Sequence, residues 1–173
     1  MLNASVLDQY PGVDTDAVQA LLEEKCRQDR HKIIVLDDDP TGVQTVHDVS
    51  VYTDWSYDSI KKGFEEDGKL FYILTNSRGF TVEQTTRAHL EIGETAAKVS
   101  EETGIDYVIV SRGDSTLRGH YPLETELLAR AEEKHRGRAV DGEIICPYFK
   151  EGGRFTIGNV HYVKYENELI PAG

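Results

Sequence analysis

Apolar residues in this chain come in short runs separated by polar, glycine-bearing stretches. "KIIVL" (32–36), "VSVYT" (49–53), "LFYIL" (70–74), "YVIV" (107–110) and "EIIC" (143–146) are rich in β-branched residues. Most lack the strict apolar–polar alternation of a half-exposed sheet, so they read as strands buried on both faces. Between them the apolar positions shift to helical spacing. Ala17, Val18, Leu21, Leu22 and Cys26 place a helix over 14–29. Residues 56–66 predict a weaker helix with Ser56 as its N-cap. Thr81 and Gln84 form a capping box for a helix over 82–103, which Gly104 stops. Pro122 suits the first turn of another helix, with Glu124 and Glu126 at its positive end, running to about Arg136. The tail "NVHYVKYENELIPAG" reads as a hairpin of "VHYV", a polar turn and "ELIP".

Strands alternating with helices predict an α/β fold: three layers, a mostly parallel sheet with helices on both faces, plus a C-terminal β-hairpin. A length of 173 residues suits one domain with a sizeable core. The expected division is a helical appendage over 1–30 and an α/β domain over 31–173. Right-handed crossovers make consecutive strands point the same way. The loops after the strands then leave one edge, where open α/β sheets bind ligands.

Charge narrows the partners. Thirty-one acidic residues face 19 basic ones, a net of −12. Such a surface repels nucleic acid and anionic membranes, so neither is an expected partner. Cys26 and Cys146 lie far apart and make no disulfide framework, which fits a reducing compartment. The N-terminus lacks the basic and apolar regions of a signal peptide. No apolar run approaches the roughly 20 residues of a membrane span. The expected location is the cytoplasm.

Four loops carry the candidate chemistry: "DDDPTG" (37–42), "TNSRG" (75–79), "SRGDSTLRGH" (111–120) and "YFKEGGRF" (148–155). They gather Arg78, Arg112, Arg118, Lys150 and Arg154 in a strongly acidic chain. Guanidinium forks match carboxylates and phosphates. Asp38, Asp39 and Asp114 offer acceptors for sugar hydroxyls, and Ser77, Ser115 and Thr116 add short donors. The set predicts a pocket for a small polyhydroxylated anion. Other patterns fall away. The "RGD" at 112–114 follows a buried strand. "DDDPTG" lacks EF-hand ligand spacing, and the six histidines show no HExxH pattern, so no metal site is expected. There is no GxxxxGK[ST] and no GxGxxG after the first strand. Cys146 has no evident base and reads as core, and His120 and His161 read as structural.

"DDDPTG", "TNSRG", "DSTLRG" and "FKEGGRFTIGNVHYV", in this order, resemble the N-terminal domain of the four-carbon acid sugar kinase family. That family includes threonate, erythronate and 3-oxo-tetronate kinases, and the resemblance covers roughly residues 31–173. "DSTLRG" is its most specific piece. The resemblance implies that this domain holds the acid sugar, while a C-terminal domain binds ATP and magnesium and a phosphoryl group passes to a terminal hydroxyl. It maps substrate contacts onto Asp38, Arg78, Asp114, Ser115, Arg118 and Arg154, and puts the orienting, catalytic role on Asp39, with Asp114 as the other candidate. The expected partners are a small anionic sugar acid and a nucleotide-binding domain or subunit. No cofactor is expected on this chain alone, which should bind substrate without turning it over. Four features depart from the family pattern and mark a sub-branch. Arg112 stands at a common lysine, Asn76 at a common aspartate and Pro40 at a common leucine, while Lys150 and Glu151 stand at small or proline positions. Two other readings stay open: a non-catalytic sugar-acid sensor or half of a split kinase, and a metal-dependent phosphatase using the aspartates at 37–39.

Overall fold

The computed structural model describes every residue except Thr45, Leu117 and Arg138. In chain order the elements are β1 (Leu2–Asn3), α1 (Thr15–Gln28), β2 (Lys32–Asp37), β3 (Val51–Tyr52), α2 (Tyr57–Glu65), β4 (Leu70–Leu74) and α3 (Val82–Thr103). There follow β5 (Tyr107–Arg112), α4 (Leu123–Arg136), β6 (Arg154–Ile157), β7 (Val160–Tyr165) and β8 (Glu168–Pro171). Contacts divide the chain into two units, 30–143 and the combination of 1–29 with 144–173.

The 30–143 unit is a parallel sheet flanked by helices, with strand order β3-β4-β2-β5. Register sets Ile34 beside Phe71 and Ile109, and Leu36 beside Ile73. These residues form the core with Ile60 and Phe64 of α2, Ile92, Ala96 and Val99 of α3, and Leu128 of α4. β2 is central, so its apolar run is buried almost throughout. The opposite face carries Val35 and Tyr72, both buried, and ends at β5 in Val108 and Val110, which are exposed. Lys32 starts β2 by donating through Nζ to the carbonyls of Glu66 and Gly68, 2.5 Å each, and its burial pulls the ammonium pKa down.

Helix ends follow the local chemistry. Thr81 Oγ1 accepts from the Gln84 amide at 3.3 Å while Gln84 Oε1 accepts from the Thr81 amide at 2.8 Å, completing the expected box. Gly104 ends α3 with φ +68°, a conformation that costs glycine nothing. Ser56 caps α2, and Pro122 sits at the N-cap of α4 just before its first helical residue. α3 lies between α2 and α4.

The second unit is an antiparallel sheet of order β1-β8-β7-β6 together with α1. The expected hairpin is present as β7 and β8, but it is the centre of a larger sheet. "RFTI" adds β6, and Leu2 and Asn3 pair with Leu169 and Glu168, so the chain's first residues are tied into the C-terminal strands. α1 forms where expected, capped by Asp14 on the Ala17 amide at 3.0 Å. Its apolar stripe is not buried: Val18, Leu21 and Leu22 are all exposed. Helical spacing shows that a face exists and not that something covers it.

The fifth apolar run gives no strand. Residues 139–148 are irregular, Ile144 is 94% exposed, and Cys146 is exposed rather than core. An apolar run becomes a strand only where a partner edge takes up its backbone groups, and periodicity carries no information about that partner. Among the described residues, no helix is long and apolar enough to cross a membrane.

The tightest helix contact is at Gly93 of α3, where an added Cβ would lie 2.6 Å from Ala131 Cβ of α4. Gly93→Ala is expected to destabilise the protein by about 1–3 kcal/mol despite alanine's better helix propensity. Urea denaturation checks this, and an unchanged or raised midpoint would refute the close crossing.

Candidate functional site

β2, β4 and β5 run parallel, so the loops that follow them emerge at one edge. β2 delivers Asp37, Asp38 and Asp39 there. Asp37 and Asp38 are buried, at 0% and 3% exposure, and Asp39 is half-buried. Buried carboxylates need partners, and arginines of the neighbouring loops provide them.

After β4, Asn76 takes a left-handed conformation (φ 54°) that breaks the strand and starts a short 3₁₀ turn at 77–79. Asparagine tolerates this better than most residues. The turn aims Arg78 back at β2. Its Nε and Nη2 grip Asp38 bidentately at 3.1 and 2.8 Å, and Nη1 reaches Asp39 Oδ2 at 2.8 Å. Its amide also donates to the Asp38 carbonyl at 3.2 Å. The Asp38 pairing raises the guanidinium pKa further.

After β5, Asp114 is held by Arg118 in the same way, with Nε and Nη2 both at 3.0 Å. Burial pushes the Asp114 carboxyl up, but the Arg118 fork, the Thr116 hydroxyl and the Arg118 amide outweigh it. The group therefore stays well below the usual carboxylate range. Asp39 shares this grammar: it accepts from the Thr41 hydroxyl and amide, and these bonds lower its pKa. In "DPT" and "DST" alike, an aspartate turns back on a threonine two residues on and meets an arginine, the distant Arg78 for Asp39 and the local Arg118 for Asp114.

The three loops form one charge cluster. Arg78 feels Asp38, Asp39 and Asp114, and Arg118 feels Asp114, Asp39 and Asp38. A Cβ on Gly119 would lie 3.3 Å from Asp38 Oδ2. A Cβ on Gly42 would overlap the Asp37 carboxylate, so only glycine lets the "DDDPTG" loop fold back over β2. Arg78 is the more enclosed of the two, half-buried with its side chain 21% exposed, whereas Arg118 is open at 65%.

Sequence reasoning brought Asp38, Asp39, Arg78, Asp114 and Arg118 to this edge, and the structure places them together. Ser115 lies in the same loop, half-buried. Leu117 of that motif is outside the described residues. Arg154 opens β6 in the other unit, along with the 148–155 loop and Lys150. His120 Nε2 bonds the Phe80 carbonyl at 3.0 Å, and His161 Nδ1 meets Thr156 Oγ1 at 3.0 Å, both structural contacts. Asp37 is a residue whose character was not legible. Burial raises its carboxyl pKa to about 6, with Arg112 Nη1 opposing from 3.4 Å, and its Oδ2 is buried with no hydrogen-bond partner among the described residues. The aspartates of the cluster face guanidinium groups, and among the described residues no group of three or more His, Cys, Asp or Glu is placed to hold a metal ion.

In parallel α/β sheets the carboxyl edge, where these charges gather, is the usual place for a small polar ligand. A family model described as "Sugar-binding N-terminal domain" matches residues 33–171, and the chain belongs to this family, the N-terminal domain of four-carbon acid sugar kinases. Comparisons with curated proteins and with solved structures return no match.

Asp37 generates a pH prediction. The unfolded chain releases this proton near the ordinary aspartate value of 3.8, the folded chain at about 6. Between these values the native state holds the extra proton, so its stabilising effect is complete at acid pH and is lost as pH rises to about 6. Against Asp37→Asn, which removes the titration, the wild type should lose on the order of 2–3 kcal/mol between about pH 4 and pH 7. Urea denaturation across that range reads the difference, and a constant gap would show that Asp37 does not titrate there.

Proposed function

We propose that this domain binds a four-carbon sugar acid of the threonate, erythronate or 3-oxo-tetronate type and holds it for ATP-dependent phosphorylation of a terminal hydroxyl. The observation that carries the reading is the single charge cluster of Asp38, Asp39, Arg78, Asp114 and Arg118 at the sheet edge of a sugar-binding family member.

The residues suit the parts of such a ligand differently. A guanidinium carries five N–H donors. The Asp114 contact uses Nε and Nη2 of Arg118, and the group is largely exposed, so Nη1 can meet a ligand carboxylate. Asp39 and Asp114, both with depressed pKa, stay ionised and accept from hydroxyls. Asp39 then orients the attacking hydroxyl as a fixed acceptor. This fits phosphoryl transfer, where positioning and charge neutralisation supply most of the catalysis. Ser115, in the same loop as Asp114 and half-buried, adds a hydroxyl to the proposed contacts. A bound ATP–magnesium complex would supply the phosphoryl group from a nucleotide-binding domain, in the same polypeptide or on a separate subunit. The two exposed free cysteines suit a reducing, cytoplasmic setting.

Isothermal titration of the 173-residue chain with threonate, erythronate and 3-oxo-tetronate tests the reading. One of them should bind in the presence or absence of ATP. Arg118→Ala should weaken that binding about tenfold or more with the melting temperature nearly unchanged, because the side chain is exposed. If none of these acids binds, the proposal fails.

A further inference from the structure

We propose that Glu124 is a positioning residue of the sugar-acid site: from the first turn of α4 it grips Ser77 and thereby fixes the turn that carries Arg78. The binding arm of this inference rests on the proposed function. The geometric arm does not.

Glu124 is a charged residue with only 3% exposure, surrounded by polar groups that are just as buried. Its Oε1 accepts from the Ser77 hydroxyl at 3.2 Å and lies 3.8 Å from His89 Nε2. Ser77 is fully buried, and its Oγ also meets Thr75 Oγ1 at 3.0 Å. That hydroxyl donates to the carbonyl of Asp37, at 3.0 Å. His89 is anchored in turn through Nδ1 to the Thr85 carbonyl of α3 at 2.9 Å. Polar contacts therefore run from Glu124 of α4 through Ser77 and Thr75 to the end of β2, with the His89 ring of α3 set 3.8 Å from the same carboxylate. A second tie holds the far side of the turn, where His120 Nε2 bonds the Phe80 carbonyl. Residues 120 and 124 thus grip both ends of the segment from which Arg78 projects.

Burying a carboxylate here is costly unless it is solvated by fixed dipoles. The positive end of α4 and the Ser77 hydroxyl supply them. An apolar residue could fill this volume at lower cost, but it could not hold a hydroxyl in place. Ser77 and Arg78 are adjacent, so a turn that loses its grip on Ser77 releases the guanidinium that clamps Asp38 and Asp39.

The test compares Glu124→Ala, Glu124→Gln and Ser77→Ala in the full 173-residue chain. The first readout is the Arg78 Nε–H resonance, assigned by its loss in Arg78→Lys. A clamped guanidinium holds this proton in slow exchange, without any ligand. In Glu124→Ala and Ser77→Ala its exchange should accelerate about tenfold or more, while Glu124→Gln, which keeps an acceptor for Ser77, should stay near wild type. The second readout is threonate affinity, expected to fall in parallel. Thermal melting separates these effects from unfolding: if Glu124→Ala fails to fold, Ser77→Ala and Glu124→Gln decide. An Arg78 resonance that survives in folded Glu124→Ala or Ser77→Ala overturns the inference, and so does its equal loss in Glu124→Gln. If wild type binds no four-carbon acid while the resonance behaves as described, the sugar-acid reading fails and the positioning role stands.

Discussion

A strand that ends in three consecutive aspartates, two of them buried, can exist at the centre of a sheet only if cations come to it, and Arg78 meets most of that need. Its fork satisfies both oxygens of Asp38 and one of Asp39. Breaking such a contact leaves uncompensated buried charge, which costs far more than an exposed ion pair is worth. The loop after β4 is therefore bound to the end of β2, and the loop after β5 is drawn in beside it through Arg112 on Asp37. The helical core would tolerate many apolar repackings. The charged edge would not, because Asp38 and Asp39 are held by an arginine from another loop and Asp114 by one four residues on in its own.

This contrast explains what could be read from the sequence. Elements with local causes were legible: the 82–103 helix from Thr81, Gln84 and Gly104, the β4 run at 70–74, the hairpin at the tail. Each is decided by residues within a few positions of itself. Elements that depend on a distant partner were not. "EIIC" has a strand's composition and forms none, whereas "RFTI" becomes β6 because β7 folds back on it. The α1 stripe shows the same limit, with periodicity correct and burial absent.

The site divides along the same line. That arginines and aspartates gather at one edge followed from the parallel topology and the loop compositions. Which arginine meets which aspartate did not, since bidentate pairs bridge 40 residues between Arg78 and Asp38. The repeated Asp-x-Thr turn, in "DPT" and "DST", was a local signal that could have marked Asp39 and Asp114 as equivalent acceptors. Nothing local distinguishes Asp37 from its two neighbours. Strand alternation puts it on the sheet face beneath Gly42, and only that enclosure gives it a pKa unlike theirs.

The pairing also constrains how a ligand could be held. Four aspartates face three arginines in the cluster, so the domain offers no large surplus of positive charge. A sugar acid would have to enter by adding to existing pairs rather than by filling an empty cationic hole. Arg118 has the exposure to accept a carboxylate without releasing Asp114, while Arg78, more enclosed, keeps the aspartates oriented toward hydroxyls. An acid without hydroxyl groups would collect one favourable contact and meet several carboxylates at close range. A neutral sugar would find acceptors but no use for the open guanidinium. Under the proposed reading, only a molecule carrying both groups would be served by both halves of this edge, and that selectivity would come from the near balance of charge that the paired forks impose.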